Sequence, residues 1–322
     1  MNFNDMEPVA PKVNKQTVSY LSTRFKEVGL NPNKRHGQNF LIDMNLLNMI
    51  ASSAQLNRND VVLEIGTGMG SLTGIFAQQA GQVITVEIDQ YLHQMASEEL
   101  EPFDNVLMLK QDCLKNKNNF APEVIAAVKE HLAAVPGRVF KLAANLPYNV
   151  ATPIISNLLR SEIVPATMTV TIQKELGDRL VAKPGSKDYG ALSVWVQSIC
   201  DTKIVRVMSP KVFWPRPKVD SAIIHIIHRP EKRAAIPDLE FFHAFVRAMF
   251  FHRRKYMRSV AISAFKGQLE KPHVDEVLQA CEHGPETRTE QLPIPVMQEL
   301  CEAFRQKLIE VTGDSNPKLA NQ

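Results

Sequence analysis

Cysteine is scarce in this 322-residue sequence: Cys113, Cys200, Cys281 and Cys301 are far apart and form no C-x-x-C pair. That spacing excludes a disulfide framework and a zinc ribbon, and it fits a reducing compartment. Long apolar runs are missing too. None approaches the ~18 residues needed to cross a bilayer, so no membrane partner is expected. The first residues, Met1 to Val18, are polar and hold no apolar stretch ahead of a small-residue cleavage site. This predicts a cytoplasmic protein with no secretory signal. Neither sign of charge dominates, with 37 Lys and Arg against 34 Asp and Glu, a net of +3. The nine histidines supply no ligand set. His225 and His228 lie three apart on a predicted strand and so point to opposite faces. No metal is expected, and no Ser/His/Asp arrangement for hydrolysis is present.

What remains is the balance of an ordinary globular chain, 44% hydrophobic and 22% charged. The length favours two domains. The small net charge is unevenly spread. Residues 1–202 hold 18 basic and 20 acidic side chains, residues 203–258 hold 13 and 4, and residues 259–322 hold 6 and 10. The middle block is therefore at +9, an asymmetry suited to a polyanion.

The order of elements predicts the fold class. Residues 1–16 read as an arm, followed by a helix over Thr17–Val28 that stops at Gly29 and a basic loop over Asn31–Gly37. A second helix is expected from Asp43, its N-cap, to Ala54. From Asp60 strands and helices alternate. Strands are expected at Val61–Ile65, Gln82–Glu87, Asn105–Leu109, Arg138–Leu142, Ala166–Ile172, Lys203–Val207 and Val219–Ile227. Such alternation predicts a parallel, doubly wound α/β sheet, here with its last two strands as an edge hairpin. Beyond Pro230 only helical periodicity continues, and there is no internal repeat.

Glu64-Ile-Gly66-Thr-Gly68-Met-Gly70 ends the first strand of this sheet and opens a helix. Glycines there allow a sharp turn and close approach of a ligand. Glu87 ends the second strand, 21 residues after Gly66, where a carboxylate hydrogen-bonds the hydroxyls of a ribose. Both features fit an adenosine-containing cofactor, either a nicotinamide nucleotide or S-adenosylmethionine. Asp112 ends the third strand and is placed to accept from an adenine amino group. The fourth strand runs into Asn145-Leu146-Pro147-Tyr148. An aromatic amine is a poor nucleophile because its lone pair is delocalised into the ring. Carbonyl acceptors for its N–H bonds favour a pyramidal nitrogen, and an aromatic ring beside them stacks on a base taken out of its helix. These signals fall at successive strand ends, where such sheets bind ligands.

The sequence resembles the ribosomal small-subunit (16S) rRNA adenine N6,N6-dimethyltransferase family over residues 31–260. The resemblance rests on Lys34-Arg-His-Gly-Gln-Asn-Phe-Leu41, Glu64 to Thr73, Asn145-Leu-Pro-Tyr-Asn149 with Thr152-Pro153, and Gln173-Lys-Glu175. It continues through Gly185 to Gly190, Phe213-Trp-Pro-Arg-Pro-Lys-Val-Asp-Ser221 and Arg253-Arg254-Lys255. It implies a Rossmann-like S-adenosylmethionine-dependent methyltransferase sheet over 31–229, an N-terminal extension over 1–30 and a small helical C-terminal domain over 230–322. It also implies dimethylation of N6 of two adjacent adenosines near the 3′ end of the rRNA, within a pre-30S particle, by a monomeric enzyme. Cofactor contacts are implied at Asn39, Leu41, Gly66, Glu87, Asp112 and Asn145, and catalytic roles for Asn145, Leu146, Pro147 and Tyr148, whose ring would meet the target adenine.

The basic block then acquires a use. His252 to Arg258 is expected on one helix, with Arg254 and Arg258 on a shared face. Arg253, Arg254, Lys255 and Arg258, with Lys211, Arg216 and Lys218 of the Pro-rich turn, are the expected phosphate contacts. The sequence departs from the family between Asp112 and Arg138, a longer segment expected to be a surface elaboration. The competing readings are a large-subunit rRNA adenine methyltransferase of the macrolide-resistance type, an assembly factor of the same fold with little turnover, and a nicotinamide oxidoreductase. Thr152-Pro153 and Pro215 to Ser221 favour the small-subunit enzyme over the first. The intact loop at Asn145 argues against the second, and the G-x-G-x-G spacing against the third.

Overall fold

The structure, a computed structural model, describes residues 17–27, 29, 38–284 and 286–319. The expected N-terminal arm and the Lys34–Gly37 end of the first motif lie outside them. The chain divides into two compact units, one of Met1–Gly177 with Lys203–Ile227, the other of Asp178–Thr202 with His228–Gln322.

The first unit is built on a sheet whose elements alternate as expected. In chain order they are α1 (Val18–Glu27), β1 (Phe40–Leu41), α2 (Met44–Ala54), β2 (Asp60–Ile65), α3 (Ser71–Ala77), β3 (Gln82–Glu87), α4 (Gln90–Leu100) and β4 (Val106–Lys110). A small hairpin of β5 (Leu114–Asn116) and β6 (Asn119–Phe120) precedes α5 (Pro122–Ala134), β7 (Val139–Asn145), α6 (Ala151–Arg160) and β8 (Thr167–Gln173). After α7 (Lys174–Leu180) and α8 (Ala191–Gln197), the latter part of the second unit, come β9 (Cys200–Met208), β10 (Phe213–Trp214) and β11 (Ser221–His228). The seven strands of the main sheet lie in the order β4-β3-β2-β7-β8-β11-β9. The pairs from β4 to β8 are parallel, and β11 runs antiparallel to β8.

Parallel strands packed on both faces read as unbroken apolar runs, and β2 is buried at all six positions. Asp43 caps α2, its carboxylate accepting from the amides of Asn45 and Leu46. Asp89 caps α4 in the same way.

One expectation is corrected here. The segment between Asp112 and Arg138 is no surface elaboration. Strand β4 stands at the sheet edge, and a parallel strand on the far side of β2 is reached only by a crossover. Helix α5 is that crossover: it packs on β2, β3 and β7 with Val124 and Val128 fully buried. Within the expected 1–30 extension, helix α1 packs against β1 and α4. Leu21 and Phe25 of α1 are buried in one cluster with Phe40, Leu92 and Met95, and Arg24 pairs with Glu98 at 2.7 Å.

The second unit is helical, adding α9 (Pro230–Ala234), α10 (Leu239–Met249), α11 (Met257–Ala264), α12 (Lys271–Ala280) and α13 (Ile294–Thr312). Its core is aromatic. Phe265 and Phe304 stack at 4.6 Å between centroids, and Phe245 lies 5.9 Å from Phe304. Residues 178–202, expected within the sheet domain, cluster with these helices. Trp195 of α8 lies edge-on to His243 at 4.7 Å, and the Tyr189 hydroxyl donates to the Leu292 carbonyl at 2.9 Å. No helix among the described residues is long and apolar enough to cross a membrane.

Candidate active site

Chain order reverses at β2, which has β3 on one side and β7 on the other. Beyond the carboxyl ends of β2, β3, β4 and β7 opens a cavity of about 250 Å³, at the switch point where open α/β sheets hold their ligands. Gly66 and Gly68 have φ of +86° and +59°, a region that side chains rarely enter. A Cβ on Gly66 would sit 3.5 Å from the Pro147 ring, and one on Gly68 would sit 3.2 Å from Phe40. The turn is thus wedged between the loop after β7 and strand β1, which leaves backbone rather than side chains facing the cavity.

Carboxylates at two depths hold this turn. Glu87 lines the cavity, and its two oxygens accept from the amides of Gly68 at 3.0 Å and Asp89 at 2.9 Å. Burial raises its pKa, and those two amides oppose the rise. Glu64 lies beneath, fully buried. It accepts from the hydroxyls of Thr73 at 2.5 Å and Thr85 at 2.7 Å, and Thr67 shares a further hydrogen bond with Thr85. Burial pushes its carboxyl up to about 8, against the pull of the two threonines. The sequence reading uses Glu64 only as part of a motif. Its position on an all-buried strand, followed nine residues later by a threonine on a buried helix, is the signal that marks it.

Asn145 is the last residue of β7. Its amide nitrogen donates to the Asn39 carbonyl at 2.9 Å, and its Oδ1 is buried with no hydrogen-bond partner. Buried acceptors without partners are rare in folded proteins. Leu146 is buried, and its amide donates to the Thr171 carbonyl at 3.1 Å. Tyr148 lines the cavity with its hydroxyl hydrogen-bonded to that of Ser221, and burial raises its pKa. Asp112 is on the wall as well, its Oδ1 accepting from the Leu114 amide at 2.9 Å.

Of the expected cofactor residues, Asn39, Gly66, Glu87, Asp112 and Asn145 meet at this one cavity, together with Leu146, Pro147 and Tyr148. Leu41 does not. It pairs with Phe213 across β1 and β10, is 2% exposed and packs in the core against α2. Gln38, Phe40 and Gln111 also line the wall, though the sequence pattern does not single them out. Gln111 is the residue before Asp112, so the strand-end position that marks one marks the other. Cys113 also faces the cavity, but burial pushes its thiol up to about 12, so it remains protonated.

The basic residues fall into two sets. In the first unit Lys211, Arg216 and Lys218 are exposed around β10 and make no ion pair among the described residues. In the second, residues 251–256 form an irregular turn and α11 begins only at Met257. The expected continuous helix over His252–Arg258 is therefore wrong: a helix that extended α10 through this stretch would carry four cations on two turns and expose its apolar side. Arg253 pairs with Glu290 at 3.2 Å, and Arg258 clasps Asp275 through two hydrogen bonds of 2.6 and 2.8 Å. Arg254 and Lys255 remain exposed and unpaired among the described residues.

Comparison with known proteins gives a consistent answer. The family model for "Ribosomal RNA adenine dimethylase" matches residues 29–286. The chain is 39% identical over 269 residues to a "Ribosomal RNA small subunit methyltransferase A" from Moorella thermoacetica, covering 83% of this chain and 90% of the relative. It is 38% identical over 286 residues to the protein of the same name from Geobacillus kaustophilus, covering 87% and 95%. Among solved structures, a dimethyladenosine transferase from Plasmodium falciparum superposes with a TM-score of 0.68 at 23% identity, over 82% of this chain and 97% of its own. The 23S rRNA methyltransferase ErmE does so with a TM-score of 0.58 at 24% identity, over 83% and 100%. The two superpositions establish a shared fold.

Proposed function

Because the chain belongs to the ribosomal RNA adenine dimethylase family, we propose that its cavity binds S-adenosylmethionine and the amino group of an unpaired adenine. It is an rRNA adenine dimethyltransferase that methylates N6 of two adjacent adenosines near the 3′ end of small-subunit rRNA. The observation that carries this reading is the unpartnered Oδ1 of Asn145 at the switch-point cavity. A buried acceptor left open at a strand end fits a donor brought in by the substrate, and the N6 amine is such a donor.

The residues present also fit the methyl donor. The cradle at Gly66 and Gly68 admits a ligand against bare backbone, Glu87 stands where ribose hydroxyls would meet a carboxylate, and Asp112 faces the adenine end. Asn39 would meet the methionine end, and Leu41 would act from the core by fixing the strand that ends the Asn39 segment. S-adenosylmethionine, when bound, supplies an electrophilic methyl group. The chain's own part is orientation. Asn145 Oδ1 accepts one N–H of the target amine and draws its lone pair out of conjugation, Pro147 fixes the turn, and the Tyr148 ring stacks on the base. The Tyr148 hydroxyl is bonded to Ser221 and its pKa is raised, so it serves as a ring and an anchor rather than as a base.

The curated relatives' name favours the small subunit over the large-subunit alternative. We place the reaction on a pre-30S particle in the cytoplasm, with a monomeric enzyme and with Lys211, Arg216, Lys218, Arg254 and Lys255 along the RNA backbone. The test is transfer from labelled S-adenosylmethionine to small subunits that lack the modification, with the labelled bases mapped. Four methyl groups per particle on two neighbouring adenines are expected. Label confined to large-subunit RNA, or absent from adenine, would overturn the reading.

A further inference from the structure

Two adjacent phenylalanines follow helix α10 and part ways. Phe250 turns inward, 8% exposed, with its ring edge-on to Tyr189 at 6.0 Å. Phe251 turns out and is 78% exposed, whereas the other exposed large apolar side chains lie between 38% and 48%. Isolated apolar side chains at a surface need no explanation, but this one is not isolated in charge. It opens the turn that carries His252, Arg253, Arg254 and Lys255. The His252 ring lies 4.8 Å away and nearly perpendicular, and most of the Phe251 ring stays open to solvent.

The turn is held at its ends and open at its centre. The Lys255 amide donates to the His252 carbonyl at 3.0 Å, the Met257 amide to the Thr287 carbonyl at 2.8 Å, and Arg253 is tied to Glu290. The Tyr256 ring already carries the Arg288 guanidinium, 5.8 Å from its centroid. What is left is one bare aromatic face beside two unpaired cations, Arg254 and Lys255. Aromatic faces set among cations are how proteins hold unpaired nucleic acid: the ring stacks on a base and the cations meet the phosphates.

We propose that the turn Phe251–Tyr256 captures one unpaired RNA base on the ring of Phe251, with Arg254 and Lys255 on the adjoining phosphates. The inference rests on the reading of the chain as an rRNA enzyme and adds to it a contact of a different kind. Phosphate contacts position without discriminating, whereas a stacking platform accepts only a base that is not already stacked in a helix. The turn therefore reads single-strandedness in the RNA that this unit holds.

The test is a titration of the full chain, followed by fluorescence anisotropy, with a single-stranded RNA of about ten nucleotides and with the same strand annealed to its complement. Phe251→Ala is expected to weaken single-strand binding by roughly 5- to 100-fold, the range of one lost base stack, and to leave duplex binding and the salt slope unchanged. Phe251→Trp is expected to keep the affinity and to show emission quenched by the single strand, beyond that of Trp195 and Trp214. Replacing Arg254 and Lys255 by Gln should lower the salt slope by about 1.4, two phosphates on a single strand.

Unchanged single-strand affinity in Phe251→Ala would overturn the proposal. So would equal losses on single strand and duplex, or a loss seen with whole small subunits but absent with protein-free RNA, which would make the ring a protein contact. The outcomes separate from those of the functional reading. A wild-type chain that methylates small-subunit adenines, paired with an unmoved Phe251→Ala, sinks this inference alone, and a wild-type chain that methylates none sinks the reading.

Discussion

Around the end of β7 the polar side chains are mostly held by the fold, and the proposed function rests on an acceptor that is not. Asn145 Nδ2 holds Asn39, Glu87 holds two loop amides and Glu64 holds two threonines, whereas Asn145 Oδ1 is left open. The turn at 251–256 is the reverse. Its central side chains are exposed, and its buried neighbours, Phe250 and Met257, anchor it at either end. The difference sets the size and the kind of effect that each region transmits. In a buried network a lost acceptor has no water to replace it. At an exposed turn each contact is exchanged for hydration, and the balance follows the salt concentration.

The comparison breaks most directly at Asn145. Asn145→Ala removes the open acceptor and also leaves the Asn39 carbonyl without its donor. Methyl transfer in single-turnover measurements should fall by at least about 100-fold, the usual cost of one preorganised polar contact in a site. RNA affinity should stay within about two-fold, since phosphate contacts supply most of it. A variant that lost RNA affinity in step with turnover would show that the two regions are not separable in this way.

Glu64 sharpens the same contrast through pH. Its folded-state pKa, about 8, lies above that of the unfolded chain, so between those values the folded protein binds more protons. Stability is then fully present below the ordinary carboxylate pKa and is lost as pH rises toward 8. Glu87, also raised by burial, adds to the slope with the same sign. Glu64→Gln keeps an oxygen for Thr73 and Thr85 but cannot ionise. It should flatten the fall in unfolding free energy between about pH 5 and 8, by a few kcal/mol at the upper end. Denaturant titrations at several pH values measure it, and an unchanged pH slope would show that Glu64 ionises freely in the folded chain.

The first region was far more legible in the sequence than the second, for the same physical reason. A parallel sheet must bury its strands and turn sharply at their ends, so Val61–Ile65, the Gly66–Gly70 turn, Glu87 and Asn145 carry their positions in their spacing. That Leu41 is buried is not legible there, because a motif records that a segment is near a site and not which side of the strand each residue takes; β1 pairs with β10 and buries it. Helix α5 was misjudged because its need arises from strand order, which no local pattern contains. The turn at 251–256 was misread as helix because Arg and Lys are good helix formers, and propensity is a weak prior against a short connection between two packed helices. No single-sequence signal distinguishes Arg258, which meets Asp275, from Arg254, which stands exposed.

That last distinction gives the smallest effect and the finest test. Arg258 is on α11 and grips Asp275 of α12 through both Nε and an Nη, a fork geometry that a lysine cannot reproduce. The guanidinium holds the Asp275 carboxyl below the usual carboxylate range, so the pair persists across neutral pH. Arg258→Gln should therefore leave RNA affinity and its salt slope unchanged and shift the thermal midpoint only slightly, because exposed pairs stabilise little. Asp275→Asn should do the opposite and free a cation, raising the salt slope by up to about 0.7 if one more phosphate is then met. If Arg258→Gln lowered the slope as much as Arg254→Gln, the ion pair would be giving way to RNA, and the division between anchored and open cations in this turn would fail.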